Sequence, residues 1–221
     1  MMNVCLQCGL YRADKLIDPS GPFAICPECG YRHRFLQLPL LIVSGASGTG
    51  KTTVCHALMG QLPSVVLLDA DILWRSEFNT PANDHQDFFE TWLRMCKNIS
   101  QSGRPVVLFG AGVGEPDNLE PRVERRYFSA IEYLALVCDE EALADRLKQR
   151  PAWRGTHGSD YIEAHQKYNH WFKTHSAGTP SIQLVDTTEA TVESSAQQVT
   201  EWITERLKRL VALPPNQLEN T

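Results

Sequence analysis

Apolar residues along this chain fall into two kinds of run, and their order predicts the architecture. Short unbroken runs suited to strands buried on both faces occur at 38–43, 65–71, 105–109, 133–138 and 181–186. Between them, apolar positions recur at helical spacing over 53–59, 87–99, 139–150 and 192–210. Strand and helix alternate, which predicts an α/β fold with a doubly wound, parallel, five-stranded sheet whose ligands bind at the carboxyl ends of the strands. Residues 1–36 stand outside this alternation and read as a separate small module. The main domain is expected over 37–213, and 214–221 reads as a flexible tail.

The first apolar run leads into Gly45-Ala46-Ser47-Gly48-Thr49-Gly50-Lys51-Thr52, and a helical pattern follows from Thr53. A strand, a glycine-rich loop and a helix in that order form a Walker A phosphate loop: backbone N–H groups converge on phosphate oxygens, Lys51 reaches the β and γ phosphates, and the Thr52 hydroxyl ligates Mg²⁺. The pattern therefore predicts a bound nucleoside triphosphate held by residues 45–53.

Composition narrows the class. With 221 residues, 43% of them apolar, the chain can bury one α/β core and still carry an appendage. A formal charge of −5 argues against a general polyanion binder. No apolar stretch is long enough to span a membrane, and the first twenty residues lack a secretory h-region, so a soluble, cytoplasmic protein with no membrane partner is expected.

Four of the seven cysteines form the pattern C-x₂-C-x₁₇-C-x₂-C at Cys5, Cys8, Cys26 and Cys29. This is zinc-ribbon spacing, with a glycine after the second cysteine of each knuckle, and it predicts a tetrahedral Zn²⁺ site; rubredoxin-like iron uses similar knuckles and stays open as an alternative. Cys55, Cys96 and Cys138 have no such pattern and read as buried apolar fillers. Within the ribbon, Arg12, Lys15, Arg32 and Arg34 stand against Asp14, Asp18 and Glu28, and four metal-bound thiolates would turn the module negative. That is a poor footprint for nucleic acid, so a metal staple or a docking site for a partner is favoured.

Phosphoryl transfer also needs a group that orients or deprotonates the acceptor. Asp69 and Asp71, two apart at the end of the second predicted strand, are expected to share a face, with Asp69 on Mg²⁺ and Asp71 on the acceptor hydroxyl. Arg146 and Arg150, four apart, share a helical face. Arg122, Arg125 and Arg126 form a second basic cluster on an expected helix, either an anion site or a solvated face. His157, His165, His170 and His175 do not fall on one face as metal ligands would, and Tyr168 and Trp171 beside them read mainly as helical-hairpin core.

The loop at 45–52, together with Leu68-Asp69-Ala70-Asp71-Ile72-Leu73-Trp74-Arg75, resembles the small P-loop kinases: shikimate, gluconate and adenylylsulfate kinases, with the nucleoside and nucleotide kinases alongside. The resemblance covers roughly 38–210 and leaves the ribbon outside. It implies an ATP- and Mg²⁺-dependent phosphotransferase acting on a nucleoside, a nucleotide or another small hydroxyl or phosphate acceptor. It further implies Lys51, Asp71 and Arg150 as catalytic groups, Arg150 and Arg154 as phosphate clamps in a lid, and Arg146 near the base or lid. Asp71, Arg75, Gly110, Ala111 and Gly112 would meet the acceptor, and Asp186-Thr187-Thr188 would lie near the adenine. Two other readings remain: a polynucleotide or RNA kinase guided by the ribbon, and a non-catalytic nucleotide-dependent switch or adaptor.

Overall fold

The protein is described from a computed structural model covering residues 3–78 and 80–211. Its N-terminal module is a three-stranded antiparallel sheet of β1 (Leu16–Asp18), β2 (Phe23–Ile25) and β3 (Arg32–Arg34). The main body follows as β4 (Leu40–Ser44), α1 (Lys51–Leu58), β5 (Val66–Asp69), α2 (Gln86–Ser100), β6 (Val106–Phe109), α3 (Pro116–Leu119), β7 (Ile131–Val137), α4 (Glu140–Lys148), α5 (Ser159–His175), β8 (Ile182–Asp186) and α6 (Val192–Val211). Five parallel strands lie in the order β5-β6-β4-β7-β8. The chain thus builds one side of β4 before crossing to the other, and a crevice opens at the carboxyl ends where it crosses.

Side-chain alternation divides the core into two layers. Leu40, Ile42, Val106, Leu108, Tyr133 and Ala135 pack with Phe89, Trp92 and Leu93 of α2 and Phe172 of α5. Leu41, Val43, Val107, Phe109, Leu134 and Leu136 face the other way, against Val54, Cys55 and Leu58 of α1 and Val199, Trp202 and Ile203 of α6. Strands covered on both sides need apolar residues at every position, which is why they appear in the sequence as unbroken runs.

The ribbon is anchored on the main body by a buried polar cluster. Lys97 of α2 donates to Glu124 Oε2 and to Asn3 Oδ1, both at 2.5 Å, and Glu124 also accepts from Asn3 Nδ2 (3.2 Å) and Arg94 (3.0 Å). Lys15 Nζ donates to Asn3 O (2.9 Å), Tyr127 donates its hydroxyl to Ala13 O (2.6 Å), and Ala24, Phe35 and Tyr127 bury a small core between the two parts.

Several expectations change. β5 ends at Asp69, and Asp71 lies in a 3₁₀ turn over Ala70–Leu73, so the two aspartates do not share a strand face. The expected helix carrying Arg122, Arg125 and Arg126 is a 3₁₀ turn over Val123–Tyr127 preceded by Arg122, and these arginines are engaged by protein groups. Arg122 donates to Asn118 O, Arg125 pairs with Glu120, and Arg126 donates to Val123 O and Lys15 O. Of the four histidines of the histidine-rich stretch, His165, His170 and His175 lie on a single helix, α5, and His157 precedes it. The predicted tail 214–221 lies outside the described residues.

Candidate active site

The phosphate loop connects the end of β4 to the start of α1, at the crevice. Its glycines are required by geometry: Gly45 has φ +137°, and a Cβ there would lie 2.3 Å from Leu136 O of β7. Gly50, at φ +100°, caps α1 with open space around it, so only its backbone conformation demands glycine. Ala46 is fully buried against Leu143 and Leu147 of α4 and Ile162 of α5, and Thr49 Oγ1 donates to Ala46 O (2.9 Å).

Lys51 Nζ donates to Gly45 O (2.7 Å) and Ala46 O (2.9 Å), which lays the ammonium along the loop. Burial pulls its pKa down to about 8, the Asp71 and Asp69 carboxylates pull it back up, and Arg150 adds to the depression. The group remains a cation at neutral pH and lies within electrostatic reach of both aspartates. Thr52 and Thr53 sit in the exposed first turn of α1. Asp69 caps the 3₁₀ turn by accepting Asp71 N–H (2.9 Å), and its charge reaches Cys55 of α1 as well as Lys51. The hydroxyl of Thr52 and the Asp69 carboxylate are hard oxygen donors of the kind Mg²⁺ takes. Asp71 has its pKa raised by desolvation and by Asp69, against Lys51 and Arg154.

Arg146 and Arg150 approach the loop from the α4 side. Arg146 donates to Thr187 Oγ1 (3.1 Å), Thr187 O (2.5 Å) and Thr188 O (3.0 Å), and Thr187 Oγ1 in turn donates to Thr49 O and Val137 O, each at 3.1 Å. The loop after β8 is thereby tied to the phosphate loop. A cavity of about 320 Å³ lies between Gly48, Thr49, Gly50 and Thr53 on one side and Arg146, Arg150 and Thr187 on the other. Arg150, just beyond α4, donates to Ser47 Oγ (2.7 Å). Arg154 lies in the turn Ala152–Arg154 over the exposed Trp153 ring, 5.2 Å from its centroid, and its charge reaches Asp71.

The remaining predicted positions separate. Arg75 is exposed and pairs with Glu77. Gly110 is a packing glycine, since a Cβ there would come within 2.6 Å of Ala70 Cβ. Ala111 O accepts the Ser44 and Tyr168 hydroxyls, both at 2.7 Å, and Gly112 O accepts from Asn118. The segment 110–112 is therefore engaged in holding β4, β6 and α5 together. Residues that the sequence reading missed come from α5. His165 Nδ1 accepts Ser47 N–H (3.3 Å), Tyr161 donates to Ser47 Oγ (3.2 Å), and Tyr168 stands beside Glu115, whose pKa is raised by burial. The signal that could have found them is helical: 161, 162, 165, 168, 169 and 172 follow a period of 3.6.

In the ribbon, the four cysteine sulfurs lie within 4.8 Å of one another, with Cys5 and Cys29 at 3.6 Å and Cys8 and Cys26 at 3.8 Å. A tetrahedron with Zn–S bonds of about 2.3 Å has edges of about 3.8 Å. Two of the sulfur pairs stand at that spacing, and the cluster offers the four thiolates a tetrahedral Zn²⁺ takes.

Residues 40–173 match the profile of a protein family described as AAA domain, so the ribbon falls outside the matched region. No protein of curated function matches the sequence. Among solved structures, a gluconokinase from Sinorhizobium meliloti 1021 aligns with a TM-score of 0.53 at 19% identity, covering 80% of this chain and 99% of that one. A sugar kinase from Janibacter sp. HTCC2649 aligns at 0.50 and 17% identity, covering 76% of this chain and 95% of its own. At such identities the likeness is one of fold: a P-loop kinase sheet with flanking helices. Among the described residues no helix is long and apolar enough to cross a membrane.

Proposed function

The chain belongs to the AAA domain family, and from that premise we propose that it is an ATP-dependent kinase of a small hydroxyl- or phosphate-bearing acceptor, of the nucleoside, nucleotide or sugar-metabolite type. The observation that carries this reading is that Lys51 and Arg150 both bond to the phosphate loop at the crevice of the sheet, with the Asp69 and Asp71 carboxylates within electrostatic reach of Lys51. Loop amides and Lys51 hold the β and γ phosphates, and Arg150 and Arg154 supply positive charge over the transferring group. Thr52 and Asp69 would hold Mg²⁺, which would supply positive charge against the phosphate oxygens. Asp71 orients the acceptor and takes its proton; its raised pKa brings it nearer the range useful to a base. Arg146 and Thr187 line the nucleotide cavity, and Cys5, Cys8, Cys26 and Cys29 hold Zn²⁺ as a staple for the N-terminal module.

A nucleic-acid acceptor is less well supported. Arg12 and Arg32 of the ribbon are engaged by Asp14 and Asp18, which removes cations that a phosphate backbone would need. A switch without chemistry has no use for Asp71 beside Lys51.

The test is a screen of nucleosides, sugars, other metabolites and short oligonucleotides for ATP-dependent phosphorylation, paired with Lys51→Ala. A folded Lys51→Ala variant should lose more than about 10²-fold in turnover. Retained turnover would sink the assignment. Elemental analysis should give about one zinc per chain, lost in Cys26→Ser.

A further inference from the structure

Helix α5 reads the carboxyl ends of three neighbouring strands. Asn169, fully buried, accepts from Cys138 N (3.2 Å) and donates to Cys138 O (2.7 Å), just past β7. Tyr168 donates to Ala111 O past β6, the same carbonyl that accepts the hydroxyl of Ser44 at the end of β4. One turn earlier, His165 Nδ1 accepts the Ser47 amide in the phosphate loop. A further turn back, Tyr161 donates to Ser47 Oγ, as Arg150 does. The peptide and the hydroxyl of Ser47 are thus held by three side chains, all from outside the sheet.

An imidazole that accepts at Nδ1 carries its proton on Nε2 and is neutral. Burial, Lys51 of α1 and Arg150 together push the His165 pKa down to about 4, so it keeps its acceptor lone pair across the neutral range. The Tyr161 ring, 4.4 Å away centre to centre, backs the imidazole on its own helix. A phosphate loop acts through amide dipoles fixed in advance, and a shift of about 1 Å can cost on the order of 10²-fold. Ala46 anchors the loop by packing its side chain and by accepting from Thr49 and Lys51 at its carbonyl; the bond from Ser47 N–H to His165 orients the next peptide on its donor side.

We propose that His165 is a positioning residue of the phosphate site: it orients the Ser47 peptide so that the loop and the Arg150 guanidinium keep a fixed register over the terminal phosphate. The proposal rests on the kinase reading above. It adds α5 to the nucleotide machinery, and it makes the same helix a link between the phosphate loop and the loop after β6.

The experiment compares His165→Leu and His165→Asn with the parent protein, using Mg·ATP and Mg·ADP as probes in titration calorimetry. The Asn side-chain oxygen falls near the Nδ1 position and can accept Ser47 N–H, whereas Leu fills the space without an acceptor. His165→Leu should weaken Mg·ATP by about tenfold, the worth of one such hydrogen bond, and Mg·ADP by less than about threefold. His165→Asn should recover most of the ATP affinity. A merely structural histidine would loosen both nucleotides alike and would gain nothing from Asn. If His165→Leu does not fold, His165→Gln, whose amide lies one bond further out, takes its place with the same expectation. Parent-like ATP affinity in the Leu or Gln variant, or an Asn variant no better than either, overturns this inference alone. A parent protein that binds no Mg·ATP overturns the kinase reading, and this inference with it.

Discussion

Replacing Lys97 with methionine removes the cation from a pair in which neither side chain has exposed area. The variant leaves Glu124 buried and charged, a change that usually costs about 3–5 kcal/mol. Two neighbours limit the damage here: Arg94 (3.0 Å) and Asn3 Nδ2 (3.2 Å) both donate to Glu124 Oε1 and remain in the variant. The lower end, about 3 kcal/mol, is therefore expected, with Lys97 over the Tyr127 ring (4.0 Å) as a further small loss. In a chain of this size each kcal/mol moves Tm by roughly 2–4 °C, so Tm should fall by about 6–12 °C. The double variant Lys97→Met, Glu124→Leu removes both charges of this pair and should regain much of that loss. Thermal unfolding followed by circular dichroism measures both. A chromophoric chelator should also draw zinc faster from Lys97→Met, because Asn3, which loses its Lys97 donor, lies two residues from Cys5. A single variant within about 1 °C of the parent, or a double variant no better than the single, would refute the claim that this pair locks the ribbon onto α2.

Gly45→Ala should abolish nucleotide binding and lower Tm, since its Cβ meets backbone at Leu136 O. Gly50→Ala, at a similarly positive φ but in open space, should cost only the backbone strain of about 1–3 kcal/mol, and equal effects on Tm would contradict the geometry. Asp71→Asn should lower kcat by 10²-fold or more while Mg·ATP affinity holds, whereas Asp69→Asn should raise the Mg²⁺ requirement, as read by Mg²⁺ titration at fixed ATP. A parent-like kcat in Asp71→Asn would remove it from the acceptor site. Asp69→Ala, which also deletes the acceptor of Asp71 N–H, should lose a further ~1 kcal/mol of stability by denaturant titration.

What the sequence determined by itself was whatever a local run of residues decides. Strands covered on both faces must be apolar throughout, so β4, β6 and β7 were legible as runs. A loop that wraps phosphate needs glycine at fixed positions and a lysine behind them, so residues 45–52 were legible as a motif, and two C-x₂-C knuckles carried the ribbon. Tertiary structure decided what depends on neighbours distant in the chain. Nothing local distinguishes Arg125, which pairs with Glu120, from Arg150, which reaches Ser47 across 103 positions. Lys97 reads as one more polar residue on α2 until Asn3 and Glu124 close over it. The imidazole of His165 is visible in the sequence as a candidate ligand, but its partner is a backbone amide, and a backbone amide leaves no trace in side-chain identity. Periodicity reports which face of an element is buried; which loop that face meets is set by strand order, and strand order is a property of the assembled sheet.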